Sequence, residues 1–477
     1  MLGDDGMNME RNHTGKTGSV YRRRMIKTIF WLFLFFASNI LNAQISVSNL
    51  VEYRLGNLPD REPEYMSTLY DQVQLDYFRD FLIVGLRYEM YQPTEQSRKY
   101  GKPTQRYIDW QKDWLHLRVG NFYSRLGRGL VFRSFELPGV VQEDEVNRVR
   151  YSFSRDMDGF LSEIKTKYVD ATLLRGDAIN NTLPPTLENR DRSLGVVEGG
   201  QLFLKPFHWL KFGGTFARYH FRNSEAFNAG SGILEFSLTP LMERYLSKDF
   251  FVDFYSEYAE KEESDNAISA GGNGSPYAFY SSANIIYKRL GISLEYKDYR
   301  DFNLRVNDPP PAVREHSFYL LNRNTHVLLP ENELGFQIEA TYSLDNGTTF
   351  IANYTQAENR LRLLENTVFM ETFLEIDFFL SPQILVKFFI DKSKDEYFAK
   401  SIADRWTLGG EVEWQYSDFN SISFELQGQR SEKTFEFAPN RNSFDDLYAS
   451  LAFLKSPNLS AGIVFQRTTD PDVTDDP

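Results

Sequence analysis

Catalysis or metal binding in this chain would have to come from few side chains. It has six histidines, His13, His116, His208, His220, His316 and His326, and no cysteine among 477 residues. No two histidines stand at a metal-ligand spacing such as H-E-x-x-H. The lack of cysteine removes thiolate zinc sites, disulfides and cysteine nucleophiles together. No G-x-S-x-G elbow or P-loop occurs, and Gly127-x-Gly129 alone reads as relief of crowding at a tight turn. A Ser–His–carboxylate set would have to be assembled from distant segments, and nothing in the spacing points to one. No catalytic residue, cofactor or metal site is assigned, so no enzyme is expected. The net charge of -13 argues against a nucleic-acid partner.

What remains is charge at every second position. In the second half of the chain Glu339, Glu371, Glu375, Asp377, Glu411, Glu413 and Glu425 alternate with apolar residues. In the first half Arg118, Arg148 and Arg150, with Arg133, hold the same kind of position. If these segments are strands, the charges share one face. Closing the sheet would then set a basic wall against an acidic one, a transverse field of the kind that gives pores their selectivity. The competing expectation is that opposite charges pair between neighbouring strands and fill the lumen, each pair contributing little.

The alternation that positions these charges runs from Ile45 almost to the end. Leu334, Phe336, Ile338, Ala340 and Tyr342 alternate with Gly335, Gln337, Glu339 and Thr341. Trp406, Leu408, Gly410, Val412, Trp414 and Tyr416 alternate with Thr407, Gly409, Glu411, Glu413 and Gln415. Such strands have one apolar and one polar face. Short and long connections take turns. Arg79-Asp80, Arg155 to Asp158, Lys288 to Leu290, Asp345-Asn346-Gly347, Ser381-Pro382, Ser417 to Asn420 and Lys455 to Asn458 read as short. Gln92 to Lys112, Asp177 to Ser193, Asn303 to Asn332 and the polar stretches 392–403 and 431–443 read as long. Tight turns at one end and long loops at the other are the habit of outer-membrane barrels. The 40 Phe and 27 Tyr suit interface girdles, with Tyr53, Tyr88, Phe122, Tyr151, Tyr168, Phe221, Tyr258, Tyr296 and Tyr354 near strand ends. The predicted fold is all-β: one large antiparallel up-and-down transmembrane β-barrel of about 20–22 strands. Following the alternation gives roughly 21, and bacterial barrels have an even number. The chain is therefore expected to lack at least its last strand.

Residues 1–43 read as an N-terminal extension plus signal peptide, with Met25 as the expected natural start. Arg22, Arg23, Arg24 and Lys27 precede the apolar run Ile29–Leu41, and Ala43 offers a small residue for cleavage. Residues 44–477 are expected to form the barrel, truncated at the C-terminus. Within it Ser317 to Pro330 is too apolar for a solvated loop. It is expected to fold into the lumen, with an extra hairpin as the other possibility.

RVGNFYSRLGRGLVFRSFE (118–136) and REHSFYLLNRNTHVLLPENELGFQIEATYS (314–343) resemble a family of uncharacterised porin-like outer-membrane barrel proteins of Gram-negative bacteria. The resemblance implies an outer-membrane location and carries over no catalytic residue. The expected function is a passive channel for small hydrophilic solutes, embedded in outer-membrane lipid. The alternative is a non-catalytic envelope scaffold or surface-loop binding protein with an occluded lumen and an envelope protein partner.

Overall fold

Alternating apolar and polar residues cannot bury both faces at once, so each segment extends and pairs with its neighbours. The computed structural model describes residues 44–57, 65–94, 99–135, 156–179, 194–222, 224–262, 276–310, 314, 316–323, 332–360, 366–397, 401–435, 438–456 and 459–470. Their strands are β1 (Gln44–Asn57), β2 (Tyr65–Arg79), β3 (Leu82–Pro93), β4 (Tyr100–Lys112), β5 (Leu115–Phe122), β6 (Arg125–Leu126), β7 (Phe132–Arg133), β8 (Met157–Lys165), β9 (Val169–Ala178), β10 (Gly195–Phe207), β11 (Leu210–Phe221) and β12 (Phe227–Ser237). They continue with β13 (Phe250–Lys261), β14 (Tyr277–Tyr287), β15 (Leu290–Arg300), β16 (Glu333–Ser343), β17 (Thr349–Asn359), β18 (Thr367–Ser381), β19 (Ile384–Tyr397), β20 (Ser401–Ser417), β21 (Asn420–Phe435), β22 (Ala438–Lys455) and β23 (Leu459–Thr468). Two short helices, α1 (Thr239–Tyr245) and α2 (Tyr319–Arg323), complete the set.

Twenty-one of the strands form one antiparallel up-and-down sheet. Each pairs with the next in sequence except that β5 pairs with β8, because β6 and β7 pair only with each other. Among the described residues β1 and β23 are not paired to each other, so the sheet has two free edges and is not closed. With an odd number of strands the two edges run in the same direction.

One face of the sheet carries an apolar belt. Ile108, Val119, Leu173, Leu202, Phe216, Leu234, Ile338, Leu374, Phe388, Leu408, Phe424 and Leu451 all point outward and are exposed. The other face is concave and largely buried. A belt of this extent has no place in water and matches the lipid-facing surface of a membrane barrel. Among the described residues no helix is long and apolar enough to cross a membrane. At the short-turn end Phe81, Trp114, Tyr168, Phe207, Trp209, Tyr287, Phe379, Trp414 and Phe419 are exposed, and farther along the strands so are Tyr53, Tyr88, Tyr258, Tyr296, Tyr354 and Trp406. The first group makes an aromatic band at the short-turn end; the second lies farther along the outward face, with Tyr354 directly opposite Ile338 of the belt. Phe122 and Phe221 are not part of them: both are buried on the concave face. Tyr151 lies outside the described residues.

Several connections differ from expectation. The turn expected from Arg155 to Asp158 is not seen in its described part, since Met157 already begins β8; Arg155 lies outside the described residues, and the short turn follows at 166–168. Most of 392–403 and 431–443 is strand, so β19 to β22 simply extend beyond the belt. Their polarity marks a change of solvent along the strand, not a loop. At the short-turn end most connections are two to five residues, whereas β12 and β13 are joined by Leu238 to Asp249, which contains α1.

Candidate functional site in the barrel lumen

Among the described residues two segments leave the long-loop end and fold back inside. The first is the hairpin after β5. Its base closes where the Ser134 amide donates to the Ser124 carbonyl at 2.8 Å. Its tip, Gly127-Arg128-Gly129, turns with φ of +57° at Gly127 and +94° at Gly129, a region costly for any residue with a Cβ. Leu126, Leu130, Val131 and Phe132 are fully buried against Met157, Val197, Ala217, Tyr219 and Ile233 on the concave wall. Glu257 on β13 anchors the tip. It accepts from the Arg128 amide at 2.9 Å, the Ser231 hydroxyl at 2.7 Å and the Tyr255 hydroxyl at 2.5 Å. The Gly127 amide donates to Gln201 at 3.0 Å, and Tyr219 donates to the Val131 carbonyl at 2.6 Å.

A Cβ on Gly127 would sit 2.6 Å from one Glu257 oxygen and 2.8 Å from Ile233. Gly127→Ala should therefore destabilise the hairpin by about 2 kcal/mol or more, combining left-handed backbone strain with the clash. Limited proteolysis of the folded protein should show new cleavage between Ser124 and Ser134. Wild-type resistance there would mean the hairpin is not held as described.

The second segment joins β15 to β16. Residues Phe302, Leu304 and Val306 pack into the same apolar cluster as the hairpin. The Arg133 amide donates to the Val306 carbonyl at 3.1 Å, Asn307 donates to the Leu130 carbonyl at 3.1 Å, and Arg133 and Asp308 form an ion pair. The segment then crosses to the opposite wall. Arg314 pairs with Glu339 and lies 3.6 Å from Glu375. His316 contacts Glu371 at 3.0 Å. Phe318 stacks on Phe389 of β19 at 4.0 Å, Tyr319 stacks on Tyr448 of β22 at 4.7 Å, and the Leu320 amide donates to Gln427 of β21 at 2.8 Å. These contacts reach strands from β16 to β22, which a flat sheet would spread about 29 Å apart. The wall must curl around the segment. The inward fold of Ser317 onward holds for the described part, as α2 and not as a hairpin; residues 324–330 lie outside the described residues.

Below the hairpin tip, toward the short-turn end, the lumen stays open. A cavity of about 700 Å³ is lined there by Arg128, Lys205, Lys211, Glu235, Asp253 and Asn284, among others. The hairpin, together with the second segment that runs from it to the opposite wall, thus forms a crossbar in the bore and leaves space beneath it.

The acidic residues named from sequence come together. Glu339, Glu371, Glu375, Asp377, Glu411, Glu413 and Glu425 all lie on the concave face of strands β16, β18, β20 and β21. Their surroundings differ. Glu371 and Glu375 are buried, whereas the Glu339 and Glu411 side chains are 31% and 24% exposed, to solvent inside the curl. Lys387 binds Glu411 at 3.1 Å. Sequence reasoning misses Asp391, Asp395 and Arg405 on the same wall, where Arg405 reaches Asp395 at 3.3 Å. It also misses Arg314, a loop residue with no alternation to mark it.

Among the described residues the arginines named from sequence do not form a matching basic wall. Arg118 is on the concave face, but it lies 3.3 Å from Asp109 and over the Tyr107 ring at 3.7 Å. Arg133 is on the inserted hairpin, not on the wall. Arg148 and Arg150 lie outside the described residues. Among the described residues no group of three or more His, Asp or Glu is placed to hold a metal ion.

Residues 41–137, which span β1 to the inserted hairpin, match a family of unknown function (DUF6029). No curated protein matches. Among solved structures the chain is similar to Pseudomonas aeruginosa OccK5 (OpdH), at 12% identity, covering 89% of this chain and 98% of that one with a TM-score of 0.45. Pseudomonas aeruginosa OprD gives 10% identity, coverage of 89% and 96%, and a TM-score of 0.46. Acinetobacter baumannii OccAB2 gives 8% identity, coverage of 90% and 98%, and a TM-score of 0.46.

Proposed function

We propose that this protein is an outer-membrane channel of the porin type, passive and non-enzymatic, whose bore is narrowed by its two inward segments and lined on one side by carboxylates. The observation that carries this is the partial exposure of Glu339 and Glu411 on the concave face of a sheet whose convex face is apolar. Charged groups that touch water inside an apolar-coated wall are what an aqueous path through a membrane requires. The basic residues near the N-terminus followed by the run Ile29–Leu41 support export by a cleaved signal peptide. Small hydrophilic solutes are the class that a crossed bore would admit, since the crossbar excludes anything bulky.

Incorporation of the purified protein into planar bilayers tests the reading. Discrete current steps are expected, smaller than those of an unobstructed barrel of similar strand number. Folded, inserted protein that passes no current would overturn the channel. It would favour the scaffold alternative, for which the close packing of Phe302 to Asp308 on the hairpin already speaks.

A further inference from the structure

The connection between β12 and β13 is the one place at the short-turn end, among the described residues, where the chain spends twelve residues, Leu238 to Asp249. It forms α1, whose residues include none that is buried. Leu241 is 48% exposed, Tyr245 66% and Leu246, just past the helix, 69%. At about 100° per residue Leu241, Met242, Tyr245 and Leu246 fall within an arc of about 140°, with Glu243 and Arg244 on the other side. The helix packs against β13. There Val252, which shares the outward face with the exposed Tyr258, is only 6% exposed. The α1 segment therefore lies over the outer side of the wall, next to the stacked outward rings Phe236 and Phe254 and the exposed Phe207, Trp209 and Tyr287. Its exposed apolar residues lie in the connection between two strands of the apolar-coated wall, at the end where Trp209 and Tyr287 are also exposed.

We propose that α1 is an interfacial anchor: its Leu241–Tyr245–Leu246 face sits in the headgroup–acyl boundary of the leaflet at the short-turn end, and Arg244 and Lys248 reach lipid phosphates. This rests on the membrane reading of the barrel. A helix lying in the interface needs an apolar arc on one side, to enter the acyl boundary, and charged residues on the other, to stay among headgroups and water. Arg244 lies over the Tyr245 ring with its guanidinium 5.3 Å from the centroid, so the cation can follow the ring to the headgroup level. The occupant is lipid, because the segment joins two strands of the apolar-coated wall.

The absence of cysteine makes the test direct. Single variants Leu241→Cys, Glu243→Cys and Tyr245→Cys carry a nitroxide in phosphatidylcholine–phosphatidylglycerol vesicles, with Leu408→Cys in the outward belt as reference. Power saturation with oxygen and a water-soluble nickel chelate reports depth. The oxygen-to-nickel accessibility ratio at positions 241 and 245 should exceed that at 243 about threefold or more. Equal nickel access at 241, 243 and 245 while position 408 is lipid-exposed would overturn the anchor and leave the barrel standing. Shielding of 245 from both reagents would point to a protein partner and also overturn it. A water-exposed 408 would instead remove the membrane reading itself.

Discussion

Excising Arg125–Arg133 and joining Ser124 to Ser134 through two glycines should raise single-channel conductance about threefold or more, since conductance follows the narrowest cross-section of the bore. The geometry makes the excision feasible. The Ser124 carbonyl and Ser134 amide are already hydrogen-bonded at the hairpin base, so the bridge need not stretch. What is lost is the burial of Leu126, Leu130, Val131 and Phe132, each worth about 1.5–3 kcal/mol as a fully buried side chain. The wall itself keeps its ladder, because neither β6 nor β7 pairs with the main sheet. Resistance to unfolding in detergent at room temperature would show that the variant still forms a barrel. A folded variant with unchanged conductance would mean that ions do not pass the hairpin, and the crossbar would have no part in transport.

How much of this is legible in the sequence follows from what each signal measures. Period-two alternation reports a difference between two faces, so it locates the strands, the outward belt and the carboxylates of β16, β18, β20 and β21. It gives a strand number near the observed one for the same reason. It does not report which segments leave the wall. Leu130, Val131 and Phe132 are a short apolar run, equally at home in a strand, and long-range contacts such as those of Glu257 and Tyr219, from strands 88 to 129 residues away, are what reveal an insertion. Alternation alone therefore assigns Arg133 to a wall it does not join. Phe122 and Phe221 read as girdle residues because the inserted segments that bury them leave no local mark. The polarity of 392–403 reads as a loop because a strand that runs past the lipid loses its apolar face without ceasing to be a strand. Ser317 onward is the exception. Its excess of apolar residues in a loop has no outlet but the lumen, and Phe318 and Leu321 are indeed buried there against Phe373 and Phe389.

On the proposed channel reading the wild-type protein should favour potassium over chloride by about threefold or more in dilute salt, because its described charges do not balance. On the wall from β16 to β21 the permanent cations include Lys387 and Arg405, joined by Arg314 from the crossing segment. They stand among Glu339, Glu371, Glu375, Asp377, Asp391, Asp395, Glu411, Glu413 and Glu425, so carboxylates are in clear excess. On the opposite side described cations are met by carboxylates: Arg118 by Asp109, Arg133 by Asp308, Lys205 by Asp170 and Lys211 by Glu235. Among the described residues the field is thus a one-sided negative potential and not a transverse one, and such a potential concentrates cations in a narrow bore. The preference should fade as salt rises from about 0.1 M to about 1 M, because the Debye length shrinks from about 10 Å to about 3 Å. Converting Glu339, Glu411, Glu413 and Glu425 to Gln should bring the permeability ratio close to one, while Arg118→Gln should leave it nearly unchanged. Reversal potentials in a salt gradient measure both. The buried Glu371 and Glu375 are left intact in this variant, because removing one partner of a buried pair costs about 3–5 kcal/mol and would confound selectivity with folding. Anion preference in the wild type, or a ratio unmoved by the four substitutions, would place the conducting path away from this wall.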